Sequence, residues 1–152
     1  IAQRLQESGR IIAIDLWQEG LASLRQSAQS IDTVAIEIHT ADIRRKLPIG
    51  DNSIDLCLMA TVLHDLVHES DDTTFLSEIS RVLNPGGRLV LVDIDYPADR
   101  NWPGMQATRL WAALGDIIRD MDELFRQFNF DYTEQEIGGF GSVHLYVADK
   151  KA

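Results

Sequence analysis

Residues 78–95 read EISRVLNPGGRLVLVDID. The end of a helix, Glu78 to Leu83, runs into Asn84-Pro85-Gly86-Gly87. Proline cannot continue a helix, and two glycines allow the chain to reverse sharply. From Arg88 to Asp93 the chain is almost continuous Leu and Val, the composition of a parallel strand covered on both faces. Helix, Pro-Gly-Gly turn and buried strand make half of a βαβ unit, which places the chain in the α/β class.

Working outward, the pattern repeats. Residues 1–8 read as the remnant of a helix stopped at Gly9. Arg10 to Asp15 is a strand, and Trp17 to Gln29 a helix with Leu21 and Leu24 on its apolar face. Val34 to His39 alternates in polarity, as an edge strand with one wet face does. Asp51-Asn52-Ser53 marks a turn before another buried strand, Ile54 to Ala60. Asp71-Asp72 offers an N-cap to a helix over Thr73 to Leu83. Tyr96 to Pro103 is loop-like, and a long amphipathic helix over Gln106 to Gln127 follows, with Leu110, Trp111, Leu114, Leu124 and Phe125 on its apolar side. Asp131 to Ile137 and Ser142 to Ala148 are joined too tightly for a crossover helix, so they form an antiparallel hairpin.

Composition narrows the function. The 152 residues suffice for a single domain spanning 1–152. A net charge of −10 argues against a nucleic-acid backbone or an anionic membrane as partner. The basic trio Arg44-Arg45-Lys46 reads as a solvated loop. The single cysteine, Cys57, lies in an apolar run and reads as an inert core residue in a reducing, cytoplasmic setting. No apolar run approaches the ~18 residues of a membrane span.

Ligands of open α/β sheets bind beyond the carboxyl ends of the parallel strands. That rule selects Asp15-Leu16, the loop after His39, the loop after Met59, and Asp93 to Asp95. A carboxylate at Asp15 can accept hydrogen bonds from the two hydroxyls of a ribose; it could also serve as a helix N-cap. Asp93 and Asp95 read as a solvated turn, with an acceptor contact as the other option.

Three stretches resemble one family. Arg81-Val82-Leu83-Asn84-Pro85-Gly86-Gly87, Leu47 to Asp55 (LPIGDNSID) and Ile11 to Leu16 (IIAIDL) are similar, in order and spacing, to the class I S-adenosylmethionine-dependent methyltransferases. The likeness covers roughly residues 1–95. It implies a Rossmann-like three-layer sandwich in strand order 3-2-1-4-5-7-6, mostly parallel, whose last strand is antiparallel. It implies S-adenosylmethionine as cofactor, with Asp15 on the ribose and Leu16 and Trp17 flanking the adenosine, although Trp17 could equally pack on the surface. Asp42 would accept from the adenine amino group and Ile43 would pack on the ring; an ordinary Asx turn is the other reading of Asp42. Ala60 and Thr61 would line the methionine part. His64, beside Asp65, is a candidate general base or acceptor contact, or a structural cap. His68 could share a helix face with His64, but without HExxH or a third ligand no metal is expected.

The family's glycine-rich loop after its first strand is absent, so the fold is expected in an N-terminally truncated form. The chain reads as a fragment or processed product lacking that strand and loop, or as a relative that never had them. The gap in the sheet would then be filled by refolding, by a partner chain, or by strand exchange in a homodimer. Methyl transfer to a small-molecule acceptor is the leading reading. A degenerate module used for association and a nicotinamide-dependent oxidoreductase are the alternatives, the latter lacking a Tyr-x-x-x-Lys pair (Tyr96 is followed by Arg100).

Overall fold

The computed structural model describes residues 9–31, 34–63, 74–114 and 121–151. The chain divides into two compact units, Ile1–Pro48 and Ile49–Ala152.

In the first unit, β1 (Arg10–Asp15) and β2 (Ala35–Thr40) lie parallel, in register from Arg10 opposite Ala35 to Asp15 opposite Thr40. The helix α1 (Gln18–Ala28) connects them. Leu21 is its buried side chain, whereas Leu24, expected beside it, is 37% exposed. The expected helix over 1–8 falls outside the described residues.

In the second unit, β3 (Ile54–Ala60) and β4 (Leu83–Ile94) are parallel. The last strand, β6 (Val143–Lys150), inserts between β4 and β5 (Phe130–Gly138) and runs antiparallel to both. The sheet order is β3-β4-β6-β5. The helices are α2 (Thr74–Val82), α3 (Trp102–Leu114) and α4 (Met121–Gln127). The Asp71-Asp72 cap lies outside the described residues. One face of the sheet carries Leu89, Leu91, Tyr146 and Ala148, all buried; Phe75, Leu76, Ile79 and Val82 of α2 and Leu124 and Phe125 of α4 are buried too. Phe125 meets Phe130, Tyr132 and Tyr146, with its ring centroid 4.7 Å from that of Tyr132.

The Pro-Gly-Gly turn is a bulge in this ladder. Ile54 pairs with Leu83, but Leu56 pairs with Arg88, so Asn84 to Gly87 loop out between two paired positions. The strand therefore starts earlier than the Arg88 read from sequence.

Three expectations change. The strand β3 is not buried on both faces: Leu56 is 54% and Leu58 50% exposed, whereas Met59 is in the core. Among the described residues it forms one edge of its sheet, with a strand on one side only. The helix read from Gln106 begins instead at Trp102, because Asn101 caps it, its Oδ1 accepting the Gly104 N–H at 2.8 Å. That helix buries its small residues, Gly104 and Thr108, and leaves Leu110, Trp111 and Leu114 exposed.

Candidate functional site

The carboxyl ends of β1 and β2 come together in the first unit. The Ala41 N–H donates to the Asp15 carbonyl at 3.2 Å, so the turn holding Asp42 starts beside Asp15. Asp15 is exposed, as are Leu16 (55%) and Trp17 (65%). One carboxylate oxygen of Asp15 accepts the Trp17 N–H at 2.9 Å; the other takes no hydrogen bond among the described residues. Asp15 is not the helix cap, a position held by Trp17 without a side-chain bond. The Trp17 ring lies over Gly20, where a Cβ would come within 2.3 Å of it. It packs on the first turn of its own helix.

Asp42 forms an Asx turn. Its Oδ1 accepts the Arg44 backbone N–H at 2.9 Å and Arg44 Nε at 3.0 Å, and its Oδ2 accepts Arg44 Nη2 at 3.1 Å. Arg44 holds the Asp42 carboxyl below its ordinary value, through its side-chain hydrogen bonds first and its backbone N–H second. Arg44 is therefore engaged rather than solvated, unlike the expectation for the basic trio. Ile43 is half-buried beside it.

In the second unit, Ala60 and Thr61 stand exposed at the end of β3. Thr61 has φ +52, a left-handed conformation uncommon for a β-branched residue. Its N–H donates to the Val92 carbonyl at 2.7 Å, and its hydroxyl to the Ala60 carbonyl at 2.8 Å. Two residues on, the Leu63 N–H donates to Asp93 Oδ2 at 2.8 Å. His64, Asp65 and His68 fall outside the described residues.

Neither acid at the end of β4 is a solvated turn residue. Asp93 is 3% exposed and also accepts the Ile94 N–H on Oδ1 at 2.9 Å. Asp95 reaches the other way, accepting Tyr146 Oη on Oδ2 and the Tyr96 N–H on Oδ1, both at 2.6 Å. The Thr108 hydroxyl of α3 donates to the Asp95 carbonyl at 2.8 Å. Burial first, then the hydrogen bond to Asp95, pushes the Tyr146 phenol well above its ordinary value.

A second polar cluster adjoins this one. His144, 2% exposed, sits between Glu134 Oε1 at 2.5 Å from Nδ1 and the Gly141 carbonyl at 2.8 Å from Nε2. A carbonyl only accepts, so the contact with Gly141 is one in which Nε2 donates. Asp95, Glu134 and His144 offer atoms within 4.8 Å of one another, a spacing a cation could use. All three already have hydrogen-bond partners, so the cluster closes on itself. Sequence reasoning missed it, although the alternation in Val143 to Ala148 puts His144 and Tyr146 on one face. Cys57 is half-buried, and desolvation pushes its thiol up to about 12, which disfavours the thiolate.

Residues 1–91 match the family model described as "Methyltransferase domain". A 37.1 kDa transposon protein of Streptomyces fradiae is 34% identical over 112 residues, 73% of this chain and 31% of that one. A demethylmenaquinone methyltransferase of Symbiobacterium thermophilum is 25% identical, over 99% of this chain and 70% of its own. The crystal structure of a SAM-dependent methyltransferase from Aquifex aeolicus shares the fold, with a TM-score of 0.68 at 21% identity over 97% of this chain and 72% of that one. The chain spans 31% and 51% of the first two curated relatives it matches. Its sheets run β2-β1 and β3-β4-β6-β5, the strand orders 3-2 and 4-5-7-6 that flank the first strand of the class I fold. On the family match the chain belongs to the methyltransferase domain family, and its two sheets carry strand orders of the class I fold.

Proposed function

We propose that the protein takes part in methyl transfer from S-adenosylmethionine to a small-molecule acceptor. Family membership supports the reaction and its cofactor. The structural observation that supports it best is Asp15, an exposed carboxylate at the carboxyl end of a parallel strand with one oxygen unclaimed among the described residues. That acceptor fits a ribose diol, whose two hydroxyls donate and need no metal. Asp42 fits less openly: both its oxygens already accept from Arg44, and an adenine amino group would have to share Oδ2.

In this reading Asp15 binds the ribose hydroxyls, Leu16 and Ile43 give the adenosine apolar surface, and the backbone at Ala60 and Thr61 faces the methionine part. His64 is the candidate group to take a proton from an acceptor. The bound cofactor supplies an activated methyl on a sulfonium, so the chain's task is to orient it and to exclude water. The small-molecule acceptor rests on the net charge of −10, which disfavours polyanionic substrates. Exposed Trp102 and Trp111 on α3 offer apolar surface for it.

Calorimetric titration with S-adenosylhomocysteine, the product-state ligand, tests the reading. Saturable micromolar binding that Asp15→Ala weakens is the expected result. A folded protein that takes up no heat of binding would sink it.

A further inference from the structure

We propose that Asp93 is a positioning residue: it holds the turn after β3 in the left-handed conformation that presents Ala60 and Thr61 at the sheet's carboxyl end. The functional part of this inference rests on the reading that those two residues face the cofactor. Thr61 is the wrong residue type for its backbone. Glycine or asparagine takes φ +52 readily, whereas the branched Cβ of threonine crowds the backbone there. Left alone, the turn would relax toward an extended conformation.

Strand β4 prevents this with two successive residues. The Val92 carbonyl accepts the Thr61 N–H at 2.7 Å, and the Asp93 carboxylate accepts the Leu63 N–H at 2.8 Å. Alternate N–H groups of the turn are thus tied to one rigid strand. The Thr61 hydroxyl is occupied by the Ala60 carbonyl and adds no hold from outside. Asp93 is itself oriented, because Ile94 N–H donates to its other oxygen at 2.9 Å. Both oxygens face backbone donors in a buried setting, which an amide cannot satisfy: an Asn here turns its NH₂ toward one of the two N–H groups. The geometry specifies a carboxylate of aspartate length. A turn fixed before a ligand arrives spares that ligand the cost of ordering it.

Three measurements on the protein decide the point. In the unaltered protein, a through-hydrogen-bond NMR coupling between the Leu63 amide nitrogen and the Asp93 carboxyl carbon is expected. In Asp93→Asn, amide hydrogen exchange at Thr61 and Leu63 should quicken by about tenfold or more, while the β4–β6 ladder keeps its rates. In the same variant, S-adenosylhomocysteine should bind about tenfold more weakly. Adding Thr61→Gly should restore part of that affinity, since glycine adopts the conformation without the clamp. A missing coupling, unchanged exchange, or unchanged affinity despite faster exchange would each overturn the proposal. Failure of the unaltered protein to bind the ligand would instead remove the cofactor reading, and the coupling and exchange would still judge the clamp.

Discussion

Arg81 reaches out of α2 to the Glu78 carboxylate one turn back, the Ile49 carbonyl at 3.0 Å, and the Asp51 carboxylate in the turn before β3. Asn84 Nδ2 donates to Asp55 at 2.7 Å, and the Asn52 and Ser53 N–H groups donate to the last carbonyls of the helix, Arg81 and Val82. The two stretches that carry the family likeness most clearly, 47–55 and 81–87, are therefore one structural joint. They satisfy the carbonyls a helix end leaves open, and they include none of the residues proposed to contact the cofactor. Arg81→Lys should destabilise the protein by about 1–2 kcal/mol in urea denaturation, because a lysine cannot bridge these acceptors as a planar fork does. S-adenosylhomocysteine affinity should hardly move. The two glycines of the joint look alike in sequence but differ in reason. Gly86 has φ +75 with open space around it, whereas a Cβ on Gly87 would lie 2.9 Å from the Asn84 carbonyl and 3.1 Å from that of Ile54. Gly86→Asn should cost under about 0.5 kcal/mol, since asparagine tolerates the left-handed region. Gly87→Ala should cost about 1–3 kcal/mol, because backbone must give way. The sequence announces a turn there, but only the fold tells which neighbour crowds which glycine. Tyr146 gives a pH test. Its raised value means the folded state favours the neutral phenol, so its contribution is full below the unfolded tyrosine value of 10.0 and is lost as pH rises beyond it. Denaturation midpoints should fall between about pH 10 and about pH 12, and Tyr146→Phe should flatten that fall.

The helix α3 shows how an element can be foreseen and its packing misjudged. Leu110, Trp111 and Leu114 recur at helical steps, which predicts a buried stripe, yet they are 62%, 42% and 70% exposed. What docks the helix is small and polar. Thr108 donates to the Asp95 carbonyl, and Gly104 comes so near the Phe140 carbonyl that a Cβ would stand 2.3 Å from it. Periodicity counts apolar residues and cannot see close approach of backbones. The start was missed for a related reason. Trp102-Pro103-Gly104 resembles a loop, but proline is tolerated in a first turn and Asn101 caps it. Asn101 Nδ2 also donates to the Phe140 carbonyl at 2.9 Å, tying the helix start to the β5–β6 turn. Asn101→Ala should therefore cost about 1–2 kcal/mol, the upper range for a lost cap. Asn101→Ser, which restores the cap alone, should recover only part of the thermal stability.

The strands were the most legible part of the chain. Arg10–Asp15 and Ile54–Ala60 have the boundaries read from sequence, because short apolar runs bounded by turn residues leave little choice. What lies beside a strand is written elsewhere in the chain or in another one, and there legibility ends. The strand β3 has the composition of a sheet interior, Ile54-Asp55-Leu56-Cys57-Leu58-Met59-Ala60, but sits at an edge. It carries none of the lysines or prolines that guard natural edges. The Leu56 and Leu58 side chains on one face are half exposed, and the edge beside them, which pairs with no strand among the described residues, can accept a further strand. We expect this edge to recruit one from a second copy of the chain when no other is offered. Sedimentation velocity should then show a dimer whose share grows with concentration. Leu56→Lys with Leu58→Lys should return it to monomer. Thermal stability measured at low concentration should change little, because side chains already half in water lose little burial. A sedimentation coefficient that stays monomeric over a hundredfold range of concentration, near about 1 mM at its upper end, would rule the pairing out. A dimer that survives both substitutions would put the interface elsewhere, with the exposed stripe of α3 next in line.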